Sequence, residues 1–271
     1  MAASHALGDC LREWRKRRRV SQLEFALQAD VSQRHLSCIE SGRATPSREM
    51  VLRLAERLEV PLRERNVMLA AAGYAPVYAE RPLDDPALRP AREAIELVLK
   101  GHEPYPALAI DRHWQLVAAN AAVATLIAGA SPALLAPPVN VLRLSLHPQG
   151  LAPRIANLGP WRAHLLERLR QQIAATGDPV LAALRDELEA LPGPAAPAAA
   201  LAAAQAFGGI AVPLQLDTAA GRLSLLSTTT VFGTPRDITL AELALEAFYP
   251  ADEASAALLR RLHAPGLPQG G

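Results

Sequence analysis

The chain has 271 residues, half of them hydrophobic and a fifth charged, enough for two domains that each bury a core. No apolar run approaches the roughly 18 uncharged residues of a membrane span, and the N-terminus lacks a basic-then-apolar leader. Cys10 and Cys38 cannot supply a disulfide framework, so the expectation is a cytoplasmic protein with reduced thiols and no membrane partner.

The net charge of +1 hides an asymmetry. Residues 1–75 carry 13 Lys and Arg against 9 Asp and Glu, whereas the remaining chain carries 15 against 18. The basic part includes Arg15-Lys16-Arg17-Arg18-Arg19. Such a run is either a solvated helix end, where cations suit the macrodipole, or part of a nucleic-acid patch.

Five short helices are predicted in this region. The first spans about 6–18 on Leu7, Leu11 and Trp14. Ser21-Gln22-Leu23-Glu24 is an S-x-x-E capping box that opens a helix over about 22–28. Ala29-Asp30-Val31 forms a turn in which Asp30 takes a left-handed conformation. Ser32 caps a third helix, whose apolar stripe is Leu36 and Ile39 and which Gly42 ends. Helices at about 47–58 and 62–72 follow, the last stopped by Gly73. Two short helices joined by a tight turn inside an all-helical unit are a helix-turn-helix candidate.

Residues 7–72 resemble the lambda-repressor-like, or xenobiotic-response-element-type, helix-turn-helix regulators. The likeness rests on SQxxxA at the start of helix two and LSxIExGR at the exit of helix three. One departure is that Arg19 and Asp30 stand at turn positions where that family often has Gly. The resemblance implies a third helix in the major groove of double-stranded operator DNA, with Ser32, Gln33, Arg34 and Ser37 facing the bases; Gln suits adenine and Arg suits guanine. It places Gln22 and Arg43 at the phosphate backbone. It also pairs Arg15 with Glu40 between helices one and three, removing Arg15 from the DNA contacts. His35 reads as a flank or packing residue and Cys38 as a small helix residue.

Pro76, Pro82, Pro86 and Pro90 among charges read as a linker over 76–90, between a domain at 1–75 and another at 91–265. A helix over about 90–100 comes next. YPALAIDRHWQLVAANAAVATLIAG then reads as strand 107–110, turn 111–113, strand 114–118 and a helix capped by Asn120. NVLRLSLHP is extended or mixed, and WRAHLLERLRQQIAATGD and PVLAALRDELEAL are amphipathic helices. LPGPAAPAAALAAA is a low-complexity loop leading into a weak helix. GIAVPLQLD and GRLSLLSTTTVFGTP are strands, and closing helices are expected at 241–248 and 252–263.

This order gives a multidomain fold: an all-α five-helix unit followed by an α+β domain whose hairpin and following helix look like the opening of a PAS-type fold. PALAIDRHWQLVAANAAVATL, NVLRLSLHPQGLAPRIANLGPW and LSTTTVFGTPRDITLAELALEAFYPAD resemble the MmyB-like ligand-binding domain. That resemblance implies a homodimeric transcription regulator whose second domain holds an apolar, fatty-acid-like effector; Trp114, Leu116, Leu144 and Leu225 are the pocket candidates. Two other readings stay open: a second domain serving dimerisation or protein partners, and a small enzyme fused to a DNA-binding module.

For the enzyme, the catalytic signals are thin. Ser224, Ser227 and Thr228 to Thr230 lack a GxSxG elbow, and the seven histidines include no HxxxH or HExxH pair. Gly208-Gly209 precedes a strand rather than joining a strand to a helix, a poor phosphate loop. His113 and Trp114 read as hairpin and core residues before pocket residues. No catalytic residue, metal ligand or cofactor is therefore expected.

Overall fold

The computed structural model describes residues 2–194, 212–233 and 235–263, with side chains from residue 6. The chain divides into two units. One runs up to Arg81 and includes residues 174–176 and 234–241; the other holds Pro82–Ile173, Gly177–Gly233 and the chain from Glu242 onward.

The first unit has the five expected helices, α1 (Ala2–Arg17), α2 (Gln22–Gln28), α3 (Gln33–Glu40), α4 (Arg48–Arg57) and α5 (Leu62–Ala71). Each of three starts is set by a serine: Ser21, Ser32 and Ser47 accept from the amides of Glu24, His35 and Met50 at 3.1, 3.1 and 3.3 Å. The Glu24 carboxylate accepts from the Gln28 side chain at 3.4 Å. Leu7, Leu11, Trp14, Phe25, Leu36, Ile39 and Leu54 form the core. Gly8 decides how closely α1 lies on α3, since a Cβ there would stand 2.5 Å from the Glu40 carbonyl oxygen. The turns keep their geometry without glycine: Arg19, Asp30 and Glu59 adopt φ of 57°, 53° and 49°, at a cost of about 1 kcal/mol each.

Beyond α5 the chain is tied down by Asn66, whose side chain accepts from the Val77 amide at 3.0 Å and donates to the Tyr78 carbonyl at 2.8 Å. In the same unit, residues 237–239 attach to this stretch. The Ile238 amide donates to the Ala79 carbonyl at 2.8 Å, and Arg81 pairs with Asp237 at 3.0 Å.

The second unit is α+β. A 3₁₀ turn (Pro86–Leu88) leads into α6 (Arg89–Gly101), then β1 (Ala107–Ile110), β2 (Leu116–Ala119), α7 (Val123–Ile127), α8 (Pro132–Leu135), α9 (Val141–Leu146), α10 (Leu158–Thr176) and α11 (Pro179–Ala190). Then come β3 (Leu214–Thr218), β4 (Gly221–Val231), β5 (Ala244–Pro250) and α12 (Glu253–His263). The sheet is antiparallel in the order β2-β1-β5-β4-β3, so the last strand in sequence lies at its centre.

Four expectations change here. Residues 244–250 are the central strand, whereas a helix was expected at 241–248; the pattern ALEAF fits either period, and pairing with β1 on one side and β4 on the other decides it. NVLRLSLHP forms α9, because Asn140 caps it by accepting from the Arg143 amide at 3.0 Å. Asn120 is not a cap: its buried amide accepts from Ala107 N at 3.1 Å and donates to the Leu99 and Tyr105 carbonyls at 3.1 and 2.8 Å, tying α6 to β1. Trp114 does not begin β2 but sits in the turn at φ 65°, held by Asp111, which accepts from the amides of His113 and Gln115, both at 2.8 Å. The low-complexity stretch from Ala195, the expected strand residues Gly209 to Ala211, and residues 264 and 265 lie outside the described residues.

Candidate functional site

The basic run at the end of α1 divides its labour. Arg15 grips Glu40 with two donors, Nε to Oε1 at 2.7 Å and Nη2 to Oε2 at 3.0 Å, and also donates to the Val20 carbonyl at 3.0 Å. The Glu40 side chain is only 3% exposed and that of Arg15 13%. The carboxylate holds the guanidinium pKa above its usual value despite the opposing effect of burial. Arg12 donates to the Glu40 carbonyl, and Arg18 donates to the Leu58 and Glu59 carbonyls at 2.9 and 3.0 Å, covering the end of α4. Lys16 and Arg19 are exposed.

This anchoring fixes α3 with one face outward. Leu36 and Ile39 are fully buried, whereas Ser32, Gln33, Arg34 and His35 are exposed and Ser37 is half-buried. Arg34 has no carboxylate partner among the described residues. Arg43 lies past the helix end, exposed, its Nε donating to Ser41 at 2.8 Å. Gln22, expected at phosphate, donates its amide to Glu40 Oε2 at 3.1 Å, so it also belongs to the Arg15–Glu40 network.

In the second unit a cavity of about 210 Å³ lies between the sheet and its helices. Its walls are nearly all aliphatic or aromatic, with Leu108, Leu116, Leu126, Leu144, Trp161 and Phe248 among them. Of the four expected pocket residues, Trp114, Leu116 and Leu144 line it; Leu225 is buried in the core and paired with Leu214, and does not line it.

One end is polar. Arg168 of α10 pairs with Glu246 of β5 through Nη2–Oε1 at 2.6 Å and Nη1–Oε2 at 3.4 Å. Thr229 accepts from Arg168 at 2.7 Å and donates to Glu246 at 2.7 Å. The register that sets Thr229 opposite Glu246, and Ser227 opposite Phe248, brings these groups to one place. The guanidinium stands 4.8 Å over the Trp114 ring, whose Nε1 donates to Gln172 at 2.8 Å. Deeper in, Trp161 Nε1 donates to Ser145 Oγ at 3.0 Å. Next to Trp161, His164 has its pKa lowered, first by burial and then by the Arg168 charge.

Sequence reasoning did not find Arg168, Glu246 or Ser227 as cavity residues. Glu246 was hidden by reading its segment as a helix, and Arg168 resembled any solvated charge on an amphipathic helix. Among the described residues, no group of three or more His, Cys, Asp or Glu could hold a metal, and no helix is long and apolar enough to cross a membrane.

Residues 91–262 match the family described as the MmyB-like transcription regulator ligand binding domain, and residues 11–65 match a helix-turn-helix family. The first match spans more than half of the chain, which therefore belongs to the MmyB-like transcription regulators. It is a DNA-binding transcription regulator that carries a ligand-binding domain. Among solved structures, the chain is similar to two of the clp gene regulator ClgR from Corynebacterium glutamicum. One is 30% identical over 27% of this chain and 92% of that one, and the other 28% identical over 38% and 97%; both have a TM-score of 0.24. It is also similar to the structure of an RNA-binding light-oxygen-voltage receptor, at 16% identity over 95% of this chain and 64% of that one, with a TM-score of 0.26. No curated protein matches.

Proposed function

We propose that the protein reads a palindromic operator as a homodimer and that an apolar, fatty-acid-like molecule in the second unit's cavity regulates this binding. At the DNA, Gln33 and Arg34 contact base edges, with Ser32 and Ser37 beside them. Arg43 contacts phosphate, and Gln22 does so when its amide leaves Glu40. At the ligand, the chain lies along the leucine-rich walls and the head points to the Arg168 end. The observation that carries the reading is the cavity itself, because native interiors hold few voids larger than a water molecule. A small antiparallel sheet faced by helices, in the manner of a PAS-like sensor, supports it.

Ligand binding alters DNA affinity only if the ligand favours one arrangement of the chain over another. Ser227 on β4 and Glu246 and Phe248 on β5 line the cavity, and the segment joining these strands is counted with the first unit, where Ile238 and Asp237 bond to Ala79 and Arg81. This covalent path is the route we assign to the signal. The test selects an operator from random DNA, then measures operator affinity and thermal stability of delipidated protein with medium-chain aliphatic ligands. Stabilisation with a changed operator affinity is expected. Stabilisation without that change removes the switch, and no stabilisation by any ligand leaves the domain to dimerisation.

A further inference from the structure

Resting on the reading of the cavity as a ligand site, we propose that it selects an aliphatic chain ending in an uncharged hydrogen-bonding head, such as an alcohol or primary amide. The Arg168–Glu246 pair is the feature that turns away an ionised carboxylate. A lone arginine at the end of an apolar cavity would be a carboxylate clamp. Arg168 is not alone: its charge is matched by Glu246, whose two oxygens take both terminal nitrogens. The Glu246 side chain is 5% exposed, so a second carboxylate beside it would meet a like charge.

A carboxylate could enter by replacing Glu246 on the guanidinium. That would leave Glu246 buried with only the Thr229 hydroxyl, a state costly for an ionised group. Among the described residues Arg168 is the cation that lines the cavity. A neutral head avoids both costs. Arg168 has five N–H donors, of which its bonds to Glu246 and Thr229 occupy part, and Ser227 adds a hydroxyl on the cavity wall. A hydroxyl or amide, which both donates and accepts, can use these groups without breaking the pair.

Size points the same way. A cavity of about 150 Å³ accommodates benzene, so 210 Å³ suits a ligand of roughly eight to ten heavy atoms. An eight-carbon chain with a small head meets that limit.

The experiment titrates delipidated full-length protein with 1-octanol, octanamide and octanoate at neutral pH by calorimetry, for the natural sequence and for Glu246→Gln. In the natural protein, the alcohol and amide should bind about tenfold or more tighter than octanoate. In Glu246→Gln, where Arg168 keeps an uncompensated charge, octanoate should gain about tenfold while octanol shifts by less than about threefold. Octanoate binding the natural protein as tightly as octanol overturns the proposal while leaving the cavity a ligand site. Failure of all three to bind removes the ligand reading as well. If Glu246→Gln does not fold, the order of affinities in the natural protein decides.

Discussion

Glu40→Ala tests the anchoring of α3. The substitution removes a carboxylate that is 3% exposed, takes two bonds from Arg15 and one from Gln22, and lies 4.0 Å from Arg12 Nε. Breaking a buried ion pair by deleting one partner costs about 3–5 kcal/mol. Here Arg15 retains the Val20 carbonyl and 13% exposure, and Gln22 can turn to water. The expected loss is therefore nearer about 2–4 kcal/mol, well above the 0–1 kcal/mol of a surface pair. For a unit of this size, 1 kcal/mol moves Tm by roughly 4–8 °C, so its transition should fall by about 10 °C or more. Calorimetry on Glu40→Ala, Arg15→Ala and the double variant completes a cycle, with an expected coupling energy of about 1.5 kcal/mol or more. A coupling below about 0.5 kcal/mol would show that Arg15 and Glu40 do not act as a pair, and would return Arg15 to the list of DNA contacts.

Four other outcomes are expected. Arg34→Ala should weaken binding to the selected operator by about 1–3 kcal/mol and relax the preference at one base pair, measured against scrambled DNA; an equal loss on both sequences would make Arg34 a phosphate contact. Asn120→Ala orphans the Ala107 amide and the Tyr105 carbonyl and leaves the Leu99 carbonyl with only its bond from the His102 amide, so urea unfolding should show a loss of about 2–3 kcal/mol. His164 has a folded pKa below the ordinary 6.5, so the unfolded chain takes up the proton first as pH drops; stability should decline from about pH 6.5 down through the folded value, and His164→Gln should flatten that decline. Leu144→Trp projects an indole into the cavity, and thermal shift should show that octanol no longer stabilises the protein.

The helix-turn-helix was legible because its signals are local. Ser21 and Ser32 cap as their spacing required, Leu36 and Ile39 point inward, and Arg15 meets Glu40 as the family pattern implied. The cavity was only half legible. Trp114, Leu116 and Leu144 could be guessed from apolar patterning, but its polar end depends on the β4–β5 register and on the packing of α10, which brings Arg168 to Glu246 from 78 residues away. Within residues 241–248 the alternation of a strand and the spacing of a helix overlap, and only pairing with β4 on one side and with the distant β1 on the other, as between Ala109 and Leu245, separates them. Asn120 was misread for a related reason: an Asn before a helix is an N-cap by default, and the buried carbonyls that claim its amide come from α6 and the approach to β1.

The cavity's energetics bear on whether it is incidental. At about 24 cal/mol per Å³, 210 Å³ of unfilled apolar space forgoes up to about 5 kcal/mol, comparable to the whole stability of a modest domain. Water reaching the polar end lessens that figure, but the leucine walls offer water few partners. A larger residue at Leu126 or Val139 could close such a gap, and small alterations of this kind are readily available to a sequence. The wall is also strained: Trp114, a bulky residue, stands at φ 65° between His113 and Gln115, whose amides both donate to the Asp111 carboxylate, and its ring lies under Arg168. The apolar space thus borders a strained aromatic and a matched pair of charges. A ligand at a hundredfold excess over its Kd returns about 2.7 kcal/mol, so the folded state regains much of what the space forgoes when the site is filled. Any part of that binding energy that differs between two arrangements of the chain biases their equilibrium, whereas a close-packed sheet serving only dimerisation would have no such lever.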